Sequence, residues 1–134
     1  MMRKLLLDTH IFLWWLNDDS RLTEKQRDLI LTPRQTVLVS IVSLWEIVIK
    51  ESIGKLKLPR KFNFQEAIEH NQFVLQPIEI QHIVQLRKLP MHHRDPFDRL
   101  LIAQAQAISA ILLTDDSKIM QYAVETERHS KNAT

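Results

Sequence analysis

The chain alternates short apolar runs with longer segments whose apolar residues recur at helical spacing. "RKLLLD" (3–8), "TVLVS" (36–40), "VLQPI" (74–78) and "AILLTD" (110–115) are brief, rich in leucine or β-branched residues, and predict strands. Between them, "THIFLWWLN" (9–17), "TEKQRDLILT" (23–32), "SLWEIVIKESI" (43–53), "NFQEAIEHNQF" (63–73), "IQHIVQLRKL" (80–89) and "PFDRLLIAQAQAI" (96–108) predict helices. "SKIMQYAVE" (117–125) predicts a last one. Strands that are apolar throughout have to be covered on both faces, and strand–helix alternation supplies the cover. The pattern therefore predicts an α/β fold with a short, mostly parallel sheet flanked by helices. In such sheets ligands bind beyond the carboxyl ends of the strands, so the residues that end the strands are the first place to look for chemistry.

Composition narrows the chemistry. A length of 134 residues fits one domain, expected over 1–126, with "ERHSKNAT" (127–134) as a polar tail. The single glycine, Gly54, rules out glycine-rich phosphate loops and dinucleotide fingerprints, which need several. Without cysteine there are no disulfides, thiolate zinc sites or Cys nucleophile, and a reducing cytoplasm suits such a chain. Asp8 ends the leucine run of "MMRKLLLDTH" before it reaches the length of a secretory core. No stretch approaches the roughly 20 apolar residues of a membrane span. The net charge of +2 is too mild to indicate nucleic-acid binding by itself. "KESIGKLKLPRK" (50–61), however, gathers five Lys/Arg against one Glu, as either a solvated connector or a path for a polyanion.

The acids change the picture most. Asp8 ends the first strand, Asp115 and Asp116 end the last, Glu46 follows the second, and Asp98 opens the helix before the last strand. Each has an ordinary use. Asp8 and Asp115 or Asp116 could cap helices, Ser43 and Glu46 have the spacing of a capping box, and Asp95, Pro96 and Asp98 suit a helix start. Together they are harder to dismiss, because they are embedded among leucines, isoleucines and a tryptophan, where unpaired carboxylates are rarely buried. Carboxylates brought to about 4 Å repel by roughly 4 kcal/mol at an effective dielectric near 20. A divalent cation turns that repulsion into binding, and an all-oxygen donor set favours Mg²⁺ or Mn²⁺.

"LLLDTH", "SLWEIVIK", "HHRDPFDRLLIAQA" and "LLTDDSKI", in this order and spacing, resemble PIN-domain proteins, and above all the VapC-type ribonuclease toxins of bacterial toxin–antitoxin pairs. The resemblance covers essentially the whole chain, with "DPFDRLLIAQA" its most specific part. It implies a PIN-like three-layer fold and metal-dependent hydrolysis of RNA. The implied metal-binding and catalytic acids are Asp8, Glu46, Asp98 and Asp116, around one or two Mg²⁺ or Mn²⁺ ions. Asp98 matches the family's helix acid, which leaves Asp95 as the cap. The family pattern selects Asp116, but the basic residue usual before it is here Asp115, so Asp115 stays as the alternate. Arg94 and Arg99 are candidates to meet phosphate or pair with an acid, and Thr114 and Thr9 to orient a bound water. His92 and His93 read as rim or surface residues, and Trp14, Trp15 and Trp45 as packing residues before base-stacking ones. The family further implies a homodimer and an antitoxin partner that puts a basic side chain near the acids.

Two other readings remain at this level. One is a PIN-like module that binds RNA or a partner without cutting. The other is a haloacid dehalogenase-type phosphatase, which wants an acid two residues after Asp8, where this chain has His10.

Overall fold

The protein is described by a computed structural model over residues 2–91 and 95–116. The elements are β1 (Arg3–Leu7), α1 (Thr9–Leu16), α2 (Glu24–Ile30), β2 (Gln35–Ser40), α3 (Ile41–Ser52), α4 (Phe64–His70), β3 (Val74–Gln76), α5 (Ile80–Arg87), α6 (Pro96–Ile108) and β4 (Ile111–Leu113). The segment 117–125, expected as a last helix, and the tail 127–134 lie outside the described residues.

The strands form one sheet in the order β3-β2-β1-β4, and every pairing is parallel. Leu5 of β1 stands between Val37 of β2 and Ile111 of β4. Successive strand residues point to opposite faces, and the core divides accordingly. Leu5, Leu7, Val37, Val39, Ile111 and Leu113 join Ile11, Phe12 and Ile47 on one side. Leu6, Leu38 and Leu112 join Val42 and the α6 residues Leu100, Leu101 and Ile102 on the other. Helices on both faces of an all-parallel sheet make a three-layer α/β architecture, as the pattern predicts.

Local chemistry sets where the elements stop. β3 ends at Gln76 rather than running to residue 78, because Pro77 has no amide hydrogen for a ladder. The helix expected from Ser43 begins two residues earlier, at Ile41, directly out of β2. Its cap is Ser40, whose side chain accepts from the Val42 N–H, so Ser43 and Glu46 form no capping box. α2 is opened by Thr23 and Gln26, which do form one. Gly54 takes φ +75° in the turn after α3, a left-handed position with open space around it. Among the described residues, no helix is long and apolar enough to cross a membrane.

A candidate active site at the carboxyl edge of the sheet

Asp8 is the first residue past β1. Its backbone N–H donates to the Leu113 carbonyl at 3.0 Å, which continues the β1–β4 pairing by one step. Although it occupies the cap position of α1, its side chain makes no capping bond. Instead Oδ2 accepts from the Thr114 hydroxyl at 2.7 Å, inside the protein. The same hydroxyl accepts from the Asp116 N–H at 3.0 Å. Thr114 is thus buried between two acids, holding one carboxylate and setting the backbone of the other. Asp116 is partly buried, whereas Asp115 is exposed.

Asp98 sits in the first turn of α6, where Pro96 and Asp95 set the helix start. The Asp95 side chain accepts from the N–H groups of Phe97 and Asp98, at 2.9 and 3.1 Å. A cap of this kind satisfies orphan amides and places the Asp98 Cα on the rim of the sheet. The two acids of "DPFD" therefore divide the work, with Asp95 shaping the backbone and Asp98 left to the site.

Glu46 projects from α3 and is buried. Its Oε2 accepts from Lys50 Nζ at 2.9 Å, one helical turn on, while Oε1 is buried with no hydrogen-bond partner. Two side-chain links hold α3 in place. The Thr9 hydroxyl donates to Ser43 Oγ at 2.9 Å, joining α1 to α3 beneath the acids. The Ser40 hydroxyl donates to Gln104 Oε1, joining the β2 end to α6. Trp45 and Phe97 pack edge to face with centroids 4.8 Å apart, the aromatic contact between α3 and α6.

These carboxylates act on one another. Burial, followed by the charges of Asp8, Asp95, Glu46 and Asp116, pushes the Asp98 carboxyl up to about 8. Burial also raises Asp8, with Glu46 adding to it and the Thr114 hydrogen bond and nearby His10 opposing. Lys50 responds in the opposite sense. Burial would lower its ammonium, but the Glu46 bond and charge, with Asp95 and Asp98, outweigh that and raise it. Three other chain segments thus bring Asp8, Glu46 and Asp116 into electrostatic reach of Asp98, and Asp8 and Glu46 into reach of each other.

Among the described residues, no three acidic or histidine side chains are already set as a cage for a metal ion. The donor chemistry nonetheless fits a hard divalent cation. Every available donor is a carboxylate or hydroxyl oxygen, Glu46 Oε1 is buried and unclaimed, and the repulsion on Asp98 is what a cation relieves. Of the other sequence candidates, Arg99 donates to the Pro90 carbonyl at 3.0 Å, near the same helix start. Arg94, His92 and His93 lie outside the described residues. Thr9 donates to Ser43 Oγ and keeps acceptor lone pairs. Trp15 donates to Asn71 Oδ1 and packs on Phe73, whereas Trp14 lies between His10 and Arg21. In the basic stretch, Leu56 and Leu58 pack against the core while Lys55, Lys57, Arg60 and Lys61 face solvent. Lys50, the first of the five cations of that stretch, instead faces Glu46. Its spacing of four from Glu46 was the available signal that it belongs to the acids.

Residues 5–125 match the family model for the PIN domain, and the chain belongs to the PIN-domain family. Its fold is also that of several solved structures. One is a chain of VapBC2 from Rickettsia felis, in a complex bound to a DNA fragment from its promoter. It is 15% identical, with 92% of this chain and 97% of that chain covered, at a TM-score of 0.69. A chain of DNA-bound VapBC from Salmonella typhimurium is 14% identical over 94% of this chain and 98% of its own, at 0.64. A chain of a toxin–antitoxin complex from Klebsiella pneumoniae is 19% identical over 87% and 89%, at 0.58. At such identities the likeness is one of fold. No curated protein matches the sequence.

Proposed function

We propose that this protein is a metal-dependent endoribonuclease, hydrolysing RNA phosphodiester bonds as the toxin of a toxin–antitoxin pair, with residues 1–126 as its single functional unit. The observation that carries the reading is the convergence of acids from separate segments around Asp98, whose carboxyl burial first, and then their charges, push up to about 8. A stable fold has no use for such repulsion, whereas a cation site does.

Asp8 and Asp98 would hold Mg²⁺ or Mn²⁺ directly, with Asp116 and Glu46 completing the set. When bound, such an ion acidifies a water molecule and neutralises charge on the phosphate. Thr114 keeps the Asp8 carboxylate aimed at the site, and Asp95 does the same for Asp98 through the helix backbone. Glu46 Oε1 is the atom that would take up or orient the proton of the attacking water. Arg99 and Arg94, at the start of α6 and just ahead of it, are the cations to meet RNA phosphate.

The partner reading draws on two supports. The fold is that of chains crystallised in toxin–antitoxin complexes. α3 and its C-cap expose Trp45, Val48, Ile49 and Ile53, apolar side chains suited to a protein partner, whether an antitoxin or a second copy. The protein would act in the cytoplasm, where both its substrate and a neighbouring gene product are found.

The test is cleavage of a panel of tRNA and rRNA stem-loops, unstructured RNA and single-stranded DNA, with Mg²⁺ or Mn²⁺ and with EDTA. RNA cleavage that EDTA stops and Asp98→Asn abolishes is the expected result. Equal background cutting by folded wild type and variant would overturn the catalytic reading. It would leave a PIN-like module that binds RNA without cutting, checked by RNA binding in the same samples.

A further inference from the structure

We propose that Lys50 is an internal counter-cation of the acid edge, holding Glu46 in the metal-free protein and competing with an incoming divalent ion for it. The inference rests on the metal-dependent reading above and adds to it a residue that opposes ion binding.

Glu and Lys four residues apart on a helix commonly pair, and on an open surface the pair contributes little. Here the setting differs. The Glu46 side chain is 4% exposed, so the 2.9 Å bond to Lys50 answers a buried carboxylate. Removing one partner of such a pair leaves an uncompensated buried charge. Lys50 also lies within charge reach of Asp95 and Asp98 on α6, so it faces acids from both helices that line the edge. Three carboxylates, those of Glu46, Asp95 and Asp98, thus act on the Lys50 ammonium, and Asp98 is in turn within charge reach of Asp8 and Asp116.

The geometry also lets the lysine leave. Its side chain is 33% exposed, and its four-carbon stem can swing to solvent without moving the helix. Glu46 meanwhile offers one oxygen held by Lys50 and one that is buried and bare. An ammonium and a divalent ion on the same carboxylate repel each other, so each weakens the other's hold. A purely structural lysine would behave differently, because its loss would leave ion affinity unchanged or lower.

The deciding measurement is calorimetric titration of Mn²⁺, without RNA, into EDTA-stripped wild type, Lys50→Met and Lys50→Arg at fixed ionic strength. Melting temperatures with and without Mn²⁺ accompany it. Lys50→Met is expected to melt lower without metal, to gain more from Mn²⁺ than wild type, and to bind it about tenfold tighter. Lys50→Arg, which keeps the charge in a more rigid fork, is expected to bind Mn²⁺ severalfold more weakly than wild type. It also keeps the test open should Lys50→Met not fold without metal. Equal or weaker binding by Lys50→Met, or binding by Lys50→Arg as tight as wild type, overturns the role of Lys50 and leaves the metal site standing. No binding by any of the three overturns both.

Discussion

Two buried polar regions lie one helix apart in this protein, and they are built on opposite principles. Below α5, Gln104 accepts from Ser40, donates to the Pro77 carbonyl and approaches His82 Nδ1. His82 Nδ1 in turn accepts from the Glu79 N–H at the start of α5. That network holds no carboxylate and is largely paired, and it ties β2, the β3–α5 connection and α6 into one body. At the sheet edge the polar groups are instead carboxylates, and burial, with one another's charge added to it, raises Asp98 and Asp8. Each region keeps one buried atom without a partner, His82 Nε2 and Glu46 Oε1. In the network around Gln104 that atom is a ring nitrogen, whose burial without a partner costs about 1–3 kcal/mol. On Glu46 it is an acceptor on a buried charge, and the two regions separate into scaffold and site on that difference.

The contrast breaks if the two regions respond alike to substitution. The largest expected effect is on the scaffold. Gln104→Leu removes partners from Ser40 and Pro77 and should cost about 1–3 kcal/mol of stability by chemical denaturation. Asp98→Asn should do the opposite, raising the stability of EDTA-treated protein while it abolishes cleavage. Destabilisation by both variants would mean that the acids are structural too.

The pH dependence sharpens the same point. Asp98 ordinarily titrates near 3.8 and in the folded protein near 8, so over that window the folded state binds more protons than the unfolded chain. Its contribution to stability is therefore greatest below about 4 and is lost as pH rises through 8. Metal-free wild type should weaken between pH 5 and pH 8 in denaturant titrations, and Asp98→Asn should show a shallower slope.

A smaller effect is expected at the hinge between the two acids of Thr114. Thr114→Val frees the Asp8 carboxylate and should lower cleavage by about tenfold at limiting metal, with Thr114→Ser restoring it. Full activity in the valine variant would show that Asp8 needs no such hold. The smallest change is Asp95→Ala. Loss of the cap costs about 1 kcal/mol in thermal unfolding, while cleavage at saturating metal falls far less than in Asp98→Asn. If the two aspartates proved equivalent in activity, the division of work within "DPFD" would fail.

Much of this was legible before any coordinates. Leucine and valine runs such as "KLLLD" and "VLVS" are short and apolar on both faces, and a chain bearing them has few options but a covered parallel sheet. The ends were less readable, because Pro77 cut β3 short and Ser40, not Ser43, began α3. Asp8, Glu46 and Asp98 stand out as acids in apolar company, since burying a charge is costly enough to need a reason, whereas Asp116 rests on the family resemblance. Asp95 and Asp98 were separable in principle, as a residue just before a first-turn proline has a strong claim to be the cap.

Pattern along the chain thus determined the class of fold and the acids to suspect, because both follow from local periodicity and from the cost of placing charge among leucines. Only the tertiary structure decided how those acids are arranged. It set Thr114 between Asp8 and Asp116, residues 106 positions apart in the first case and two in the second. It turned Asp115 to solvent, and it drew Lys50 out of a run of surface cations to face Glu46 and the α6 acids. Electrostatic coupling depends on distance and burial, which belong to the folded arrangement and not to spacing in the chain.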